Sequence, residues 1–352
     1  MVISRVHFAA MIACVLGALL SCGRAMAGEA AERGPFDGYA FIAAYADNNV
    51  FLYSDVDRQR FESGVPAGGK YPIQDLADIV TTLAARGDLR WDVQPYSLWR
   101  VRLMYDANVY ARNTDRTNQR LGVSLQRQLR HAHASVTANY VPDFYLRHLY
   151  WRPMPGRPPG IRYAAARYDK MEITAEGSLR LSRIVDGLLG LGFARRDYDF
   201  PFDERDNNTY SIDAGAEVRV RPRLSLSFMF NVDLLHASGA DSTSLAAEDI
   251  SNNQFGFELG GSWRMNEWLR FVQTFDYSHQ VYTTGNVADL PHHDRKDDEF
   301  GTRSEFRMGP FSGWQPDVFI EYHTSKSSVP PGIAEFGQYT AFRVGIQVTY
   351  YF

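Results

Sequence analysis

Residues 209–220 read TYSIDAGAEVRV, residues 224–235 read LSLSFMFNVDLL, and RPR lies between them. In both stretches every second residue is apolar, beginning at Tyr210 and at Leu224, and most of the residues between are small, polar or charged. Alternation of this kind places the two sets of side chains on opposite faces of a β-strand. Pro222 cannot donate to a β-ladder, so it favours a turn. The segment therefore predicts a hairpin with one apolar and one polar side.

The same alternation recurs along the chain and predicts about fourteen strands, within a range of about twelve to sixteen. The predicted strands cover residues 37–47, 77–91, 98–110, 119–130, 134–147, 161–181, 188–199, 208–220, 223–236, 253–264, 269–283, 299–309, 317–325 and 339–352.

The connections between these strands alternate between long and short. The long ones are 48–76, 111–118, 148–160, 200–207, 237–252, 284–298 and 326–338, and the short ones contain DVQPYS, RHAH, SRIVDG, RPR, RMNEW and GPFSGWQP. Long polar loops at one end and tight turns at the other are typical of transmembrane barrels. A soluble β-sandwich or propeller also has alternating strands, but its exposed faces are polar.

Charged residues at alternate strand positions decide between these two architectures. A barrel in lipid has an apolar exterior and a polar lumen, and its closure leaves no unpaired edge. The predicted pore-lining residues are Arg100, Arg102, Asp106, Glu172, Glu176, Arg180, Asp213, Glu217, Arg219, Asp233, Glu258, Arg303, Glu305, Arg307 and Arg343. All six tryptophans lie near predicted turns or loops, as interfacial girdles require. The predicted fold is all-β: a single closed antiparallel transmembrane barrel with short periplasmic turns and long extracellular loops.

The amino-terminal segment is expected to be a signal peptide over residues 1–27, because Arg5 precedes an apolar stretch and small residues follow it. An alternative is a lipoprotein signal with Cys22 as the lipidated residue. Both cysteines of the chain lie in this segment. Residues 28–352 would then form the barrel, with 28–36 as a short periplasmic segment.

Net charge and motif content limit the partners. The formal net charge is −4 and no basic stripe is present, which argues against a nucleic-acid partner. The sequence contains no phosphate-cradling glycine loop, zinc signature or nucleotide motif, so we predict no cofactor and no metal.

The stretch FRVGIQVTYYF at 342–352, with the signal-like segment and the strand–loop asymmetry, resembles bacterial outer-membrane β-barrel proteins. The resemblance implies an outer-membrane location, export through the signal peptide, contact with outer-membrane lipids and lipopolysaccharide, and insertion by the barrel-assembly machinery. In that family the machinery reads alternating apolar residues of the last strand. The matching residues here are Val344, Ile346, Val348, Tyr350 and Phe352. The resemblance leaves the cargo open.

Three functions follow as hypotheses. The first is a porin-like channel for small polar solutes or for an exported polymer such as a polysaccharide. Predicted lumenal cations and anions are nearly equal in number, which predicts weak ion selectivity unless the charges segregate to opposite walls. Another of the three hypotheses is a non-conducting barrel that binds a surface partner through its loops.

The remaining hypothesis is an outer-membrane lipid hydrolase. His323 and Ser325 resemble the His-x-Ser-Asn motif of the outer-membrane phospholipase and lipid A deacylase, in which the histidine activates the serine. Glu335 is the candidate that would orient His323. Two features differ from the motif: Lys326 replaces its asparagine, and parity places both side chains with Glu321, facing the lumen.

Three loop segments complete the expectations. Residues 199–208 and 291–300 are rich in charge, and we expect solvated extracellular loops there, with a cation or lipopolysaccharide counter-ion site in 291–300 as the alternative. Residues 76–80, LADIV, lie at the end of the longest loop and are expected to fold inward as a constriction or plug.

Overall fold

The computed structural model describes residues 36–64, 70–94, 97–150, 163–241, 248–328 and 338–352. Fourteen strands form one closed antiparallel barrel. Each strand pairs with its neighbours in sequence, and the first pairs with the last. The predicted fold class and strand number are therefore confirmed.

The strands are β1 (Phe36–Asp47), β2 (Asp78–Gln94), β3 (Ser97–Tyr110), β4 (Asn118–Gln128), β5 (Ala132–Tyr150), β6 (Tyr163–Arg180), β7 (Val185–Tyr198), β8 (Asn207–Arg221), β9 (Leu224–Ala237), β10 (Asn252–Arg264), β11 (Leu269–Tyr282), β12 (Lys296–Met308), β13 (Trp314–Ser327) and β14 (Tyr339–Tyr351). Every predicted strand is present, with shifts only at its ends. One α-helix, α1 (Asp55–Glu62), lies in the connection between β1 and β2.

The barrel has an apolar exterior. Leu103 is 62% exposed, Leu191 is 53% exposed and Ile346 is 57% exposed, and each lies on a strand whose alternate residues are polar. Such exposure of large apolar side chains all round a closed barrel suits a lipid environment and not water.

The barrel closes at the seam between β1 and β14. Their register runs from Tyr39 opposite Tyr351 to Asp47 opposite Arg343. The backbone of Gly38 continues the pairing, because its N–H donates to the Phe352 oxygen at 3.0 Å and its oxygen accepts from the Phe352 N–H at 3.0 Å. Closure pairs the two terminal strands along their length, as a spanning sheet in lipid requires.

The seam also places the residues with the predicted assembly role. Val344 and Ile346 are exposed on the exterior, whereas Thr349 is buried on the other face. Val348, Tyr350 and Phe352 share the parity of the exterior set and are partly exposed. Their reading by the assembly machinery stays a prediction.

Residues 1–35 lie outside the described part of the chain, so the signal peptide stays a prediction. Phe36, expected in a periplasmic segment, already belongs to β1. Among the described residues, no helix has the length and apolarity needed to cross a membrane.

Adjacent residues of β9 test the two faces. Phe230 lies on the exterior and Asn231 on the lumenal side, so we expect Phe230→Arg to lower the free energy of unfolding by about 2–4 kcal/mol, because it places a charge in lipid. Asn231→Arg is the matched control and should change it far less. Urea unfolding of the barrel in lipid vesicles measures both. Equal losses would contradict the assigned faces.

Candidate functional site: the lumen and its extracellular mouth

One wall of the lumen, on β2, β3 and β4, is a network of ion pairs. Arg86 and Arg120 both donate to Asp106, Arg86 at 2.5 Å to Oδ1 and Arg120 Nε at 2.8 Å to Oδ2. Arg102 holds Asp88 with two hydrogen bonds, at 2.6 and 2.8 Å, and Arg100 lies 3.7 Å from the same carboxylate. The fork of a guanidinium on a shared carboxylate is a strong, directional contact. These charges therefore largely neutralise one another.

A second network lies beside the seam, on β12, β13, β14 and β1. Its pairs are Arg303–Glu305, Arg307–Glu305, Arg303–Glu321, Arg343–Glu321 and Arg343–Asp47. Arg343 is central, since its Nε donates to Asp47 at 2.7 Å and its Nη1 to Glu321 at 2.8 Å. The two networks together make a continuous ion-paired wall from β12 through β1 to β4.

Further lumenal residues pair locally on β6, β7 and β8. Lys170 lies 3.0 Å from Glu172, and Arg180 and Arg219 both contact Asp186.

The opposite side of the lumen differs. Five of its carboxylates, Glu176, Asp213, Asp233, Glu258 and Asp276, are what we call the carboxylate wall. None of them makes an ion pair or a side-chain hydrogen bond with another residue in the described ranges. Glu258 and Asp276 even lie directly opposite each other on β10 and β11. Like charges in this position destabilise a sheet. The lumenal charges are therefore unevenly paired: ion pairs run through the β12–β4 wall, whereas five carboxylates of β6 and β8 to β11 have no cation partner among the described residues.

Lumenal glycines keep the carboxylate wall flat. A Cβ atom at Gly190 would lie 2.9 Å from Oδ2 of Asp213, so the Asp213 side chain lies along the wall over this glycine. Asp276 covers Gly301 and Asn231 covers Gly256 in the same way. Side chains that lie along the strands take less of the lumen than side chains that point to its axis. This wall therefore leaves space beside it.

The extracellular mouth is covered by the connection between β1 and β2, which we call the mouth loop (residues 48–64 and 70–77). Ser54 caps α1 by accepting from the N–H of Asp57 at 3.2 Å. Asp57 is buried and binds Nζ of Lys70 at 2.8 and 2.9 Å and the Tyr71 hydroxyl at 2.8 Å. Phe51 and Tyr53 pack beside them in an apolar cluster.

The mouth loop reaches across the ring of strands. Asn49 donates to the Thr340 oxygen on β14 at 3.2 Å. Phe51 packs edge-on against Tyr145 of β5, with ring centroids 6.1 Å apart, and the Arg147 guanidinium of β5 lies 5.9 Å from the Tyr53 ring. Because β1 to β4 separate β14 from β5 in the barrel, a segment that contacts both spans a large part of the opening.

The expectation that LADIV forms the constriction is wrong. Ile79 lies in β2 and is 59% exposed on the exterior, and Leu76 packs under the mouth loop's aromatic cluster. The covering segment is instead residues 49–57. Alternation continues from β2 into LADIV, which commits Ile79 to the exterior face.

Three other extracellular connections are held together by buried charges, which we call the loop clamp. Arg205 binds Oε2 of Glu248, with its Nε at 2.9 Å. The backbone N–H of Asp249 donates to Asp289 Oδ2 at 2.7 Å, and Nδ1 of His292 lies 3.0 Å from the same carboxylate. Arg205, Glu248, Asp289 and His292 are all buried.

The loop clamp corrects the expectation of solvated loops at 199–208 and 291–300, since Arg205 and His292 are buried ion-pair or hydrogen-bond partners. In the described ranges, no group of three or more metal-ligating side chains is placed to hold an ion. Sequence alone did not pair Arg205 with Glu248, because the two lie in different loops.

Burial changes two titrations in the loop clamp. Burial, with the nearby Glu248 charge adding to it, raises the pKa of Glu204 to about 7. Burial lowers the pKa of His292, although its hydrogen bond to Asp289 opposes the shift.

His323 and Ser325 share a face with Glu321, as parity predicts. Ser325 is buried opposite Glu299, and His323 lies opposite Gly301. Within the described residues the two side chains form no hydrogen bond with each other, whereas a serine nucleophile needs its base within such reach. Glu335 lies outside the described residues.

Sequence reasoning missed four lumenal partners: Asp47, Arg86, Asp88 and Asp186. The alternation of strand residues could have identified two of them, because Arg86 and Asp88 occupy the positions that alternate with the apolar Leu89 on β2. Their pairing with Asp106 and Arg102 depends on strand register, which the sequence pattern does not specify to the residue.

No family model and no curated protein sequence matches the chain. Among solved structures it is similar to the outer membrane channel DcaP of Acinetobacter baumannii, with a TM-score of 0.49 and 11% identity over 90% of this chain and 96% of that one. It is also similar to a loop-deletion form of OmpT, an outer membrane protein of Vibrio cholerae (TM-score 0.46, 10% identity, 90% and 99% covered). A third is an anion-selective porin from Comamonas acidovorans (TM-score 0.43, 12% identity, 90% and 98% covered). The assignment of the fold as a closed barrel rests on the strand pairing described above. The charge distribution of the lumen follows from the residues of this chain and not from these similar structures.

The loop clamp predicts a pH dependence. The raised pKa of Glu204 means that the closed loops hold its proton more tightly than the opened loops do, so closure weakens as pH rises from about 4.5 to about 7. We expect Glu204→Gln to increase the protection of residues 199–206 from hydrogen exchange above pH 7, with a gain that shrinks to nothing near pH ~4.

His292 acts in the opposite direction, since its lowered pKa weakens closure as pH falls, so the comparison is made between variant and wild type at each pH. Asp199→Asn, an exposed carboxylate of the same loop, is the control. A gain from Glu204→Gln that is the same at every pH would refute the role of its titration.

Proposed function

We propose that the chain forms a channel in the bacterial outer membrane for small hydrophilic solutes, and that its lumen favours cations over anions. The observation that carries the proposal is the carboxylate wall facing an ion-paired wall. The same proposal includes contact with outer-membrane lipids and lipopolysaccharide, and insertion by the barrel-assembly machinery through the exterior residues of β14.

The charge preference follows from segregation. Arginines on the β12–β4 side are held by carboxylates, so their field at the lumen axis is weak beyond a few ångströms. The carboxylates of β8 to β11 lack such partners in the described chain. Unpaired charge of one sign along a stretch of a low-dielectric lumen concentrates the opposite ion beside it. A near-equal count of cations and anions therefore does not make the lumen neutral to a passing ion.

The mouth loop supports a size limit. It lies across the extracellular opening and is held by the buried Asp57–Lys70 pair. A solute must pass beside it or displace it. The covered mouth is also the observation that favours the second candidate, a non-conducting barrel that presents its loops to a surface partner, and absence of current in the tests below would favour that candidate.

Neutralising the carboxylate wall tests the selectivity. We expect the wild-type channel to pass potassium several-fold better than chloride, judged from the reversal potential in a potassium chloride gradient across a planar bilayer. The combined variant Glu176→Gln, Asp213→Asn, Asp233→Asn, Glu258→Gln and Asp276→Asn should lose most of this preference, because fixed charges at the pore set it. Glu267→Gln, an exposed acid of the β10–β11 turn, should leave it unchanged. An unaltered preference in the combined variant would exclude the carboxylate wall as its source.

Releasing the mouth loop tests the constriction. Lys70→Met leaves the buried Asp57 carboxylate without its ammonium partner, which costs about 3–5 kcal/mol when such a pair is broken. We expect the loop to leave the mouth and single-channel conductance to rise. The control is Arg60→Met, an exposed residue of α1. Unchanged conductance in Lys70→Met, with residues 49–57 shown by hydrogen exchange to have opened, would mean that the loop does not limit the path.

A further inference from the structure

Four arginines lie side by side at the turn end of the barrel, from the carboxylate side to the adjoining β12, and by the predicted topology this is the periplasmic end. The N–H of Arg264 donates to the Arg223 oxygen at 2.8 Å, Arg264 lies opposite Arg270, and Arg270 lies opposite Arg307. By strand parity all four belong to the lumenal set, because they alternate with exterior residues such as Trp263 and Phe306. We call Arg223, Arg264, Arg270 and Arg307 the arginine row.

The arginine row is unlike the rest of the lumen. Many other lumenal arginines pair with carboxylates, as Arg102 does with Asp88 and Arg343 does with Asp47. In the row only Arg307 has such a partner, Glu305, and the other three have no ion pair with a described residue. Like charges directly opposite each other in a sheet cost stability. The row keeps this cost although arginines such as Arg102 and Arg343 are paired, which indicates that the missing negative charge comes from outside the chain.

A cavity gives that charge a place. A space of about 620 Å³ is lined by Arg219, Arg223, Arg264 and Arg270, by the hydroxyl residues Ser225 and Ser262, and by Glu217. Its volume is within the range of small-molecule sites, about 300–1,000 Å³. Its remaining lining comes from the β8–β9 turn and its flanks and from Ile184 of the β6–β7 turn, so it is a vestibule at the turn end of the lumen.

We propose that this vestibule binds the oxyanion group of a soluble solute, a sulfate, phosphate or carboxylate, between Arg264 and Arg270. Side chains directly opposite on neighbouring strands have Cβ atoms about 4.5–5.5 Å apart, so two guanidinium forks can hold one oxyanion. Guanidinium donors suit this task because their planar geometry matches carboxylate and phosphate oxygens. Arg223 stands beside them, and Ser225 and Ser262 offer hydroxyl donors.

The vestibule and the carboxylate wall lie on the same strands. Arg264 and Glu258 share the lumenal face of β10, as do Arg270 and Asp276 on β11. An anion held at the arginine row therefore meets repulsion if it moves further along the lumen. The site retains an anion at the turn end, and its occupancy does not depend on conduction through the barrel.

Inorganic sulfate is the probe, since it is a dianion across the useful pH range. Isothermal titration calorimetry is performed on the full folded barrel in uncharged detergent, with sodium chloride at equal ionic strength as the reference. We expect saturable sulfate binding to the wild type, at least ~10-fold weaker in the Arg264→Gln/Arg270→Gln double variant, equal to a loss of about 1.4 kcal/mol or more. Arg127→Gln, an exposed arginine on the exterior of β4, should bind sulfate as the wild type does.

A second variant separates charge from geometry. Arg264→Lys/Arg270→Lys keeps both charges but lacks the guanidinium fork, so its affinity should fall between the wild type and the glutamine variant. Heat-modifiable gel migration verifies that each barrel is folded. Absence of saturable heat above the chloride reference, or equal affinity in the wild type and the folded glutamine variant, overturns the proposal. Because no current is measured, its failure is distinct from failure of the channel proposal.

Discussion

The constraint on which this structure depends is that no backbone N–H or C=O can stay unpaired in a hydrocarbon layer, where water is absent. The seam meets it by pairing β1 with β14 from Tyr39 to Asp47, and the Gly38–Phe352 hydrogen bonds extend the pairing to the end of the ladder. Side chains must be absent where the strands approach most closely. A Cβ atom on Gly38 would lie 2.8 Å from the Phe352 ring, and one on Gly345 would lie 2.5 Å from Cβ of Tyr45. Once the ring is closed, every strand has only an outside and an inside.

This division explains why charges that look unfavourable in a strand are tolerated inside. The ion-paired wall uses register to bring Arg86, Asp106 and Arg120 together from three strands. On the carboxylate wall the same register brings Glu258 opposite Asp276 and supplies no cation. The two walls therefore differ in whether strand register brings an arginine to each carboxylate.

The two ends of the lumen are built differently. At the extracellular end, long connections bury polar groups of their own, as Asp57 with Lys70 and Arg205 with Glu248 show. These two buried carboxylates each have a partner cation, and breaking such a buried pair would cost about 3–5 kcal/mol. At the turn end the connections are too short to supply partners, and the arginine row stays open to solvent. The barrel thus has buried, paired charges at its extracellular mouth and the solvent-exposed arginine row at its turn end.

The amino-acid sequence by itself determined the fold class, all fourteen strands and the face of nearly every strand residue, because side-chain parity is a local property that a closed barrel in lipid enforces along its whole length. It also placed His323 and Ser325 inside, which parity alone decides. It could not place the constriction, since residues 49–57 cover the mouth through contacts with β14 and β5 that lie far away in the chain. Only the tertiary structure decided which lumenal charges meet. Register and closure bring Arg343 to Asp47, leave Glu258 against Asp276, and align Arg264 with Arg270, because neighbours around a barrel are set by pairing between strands and not by distance along them.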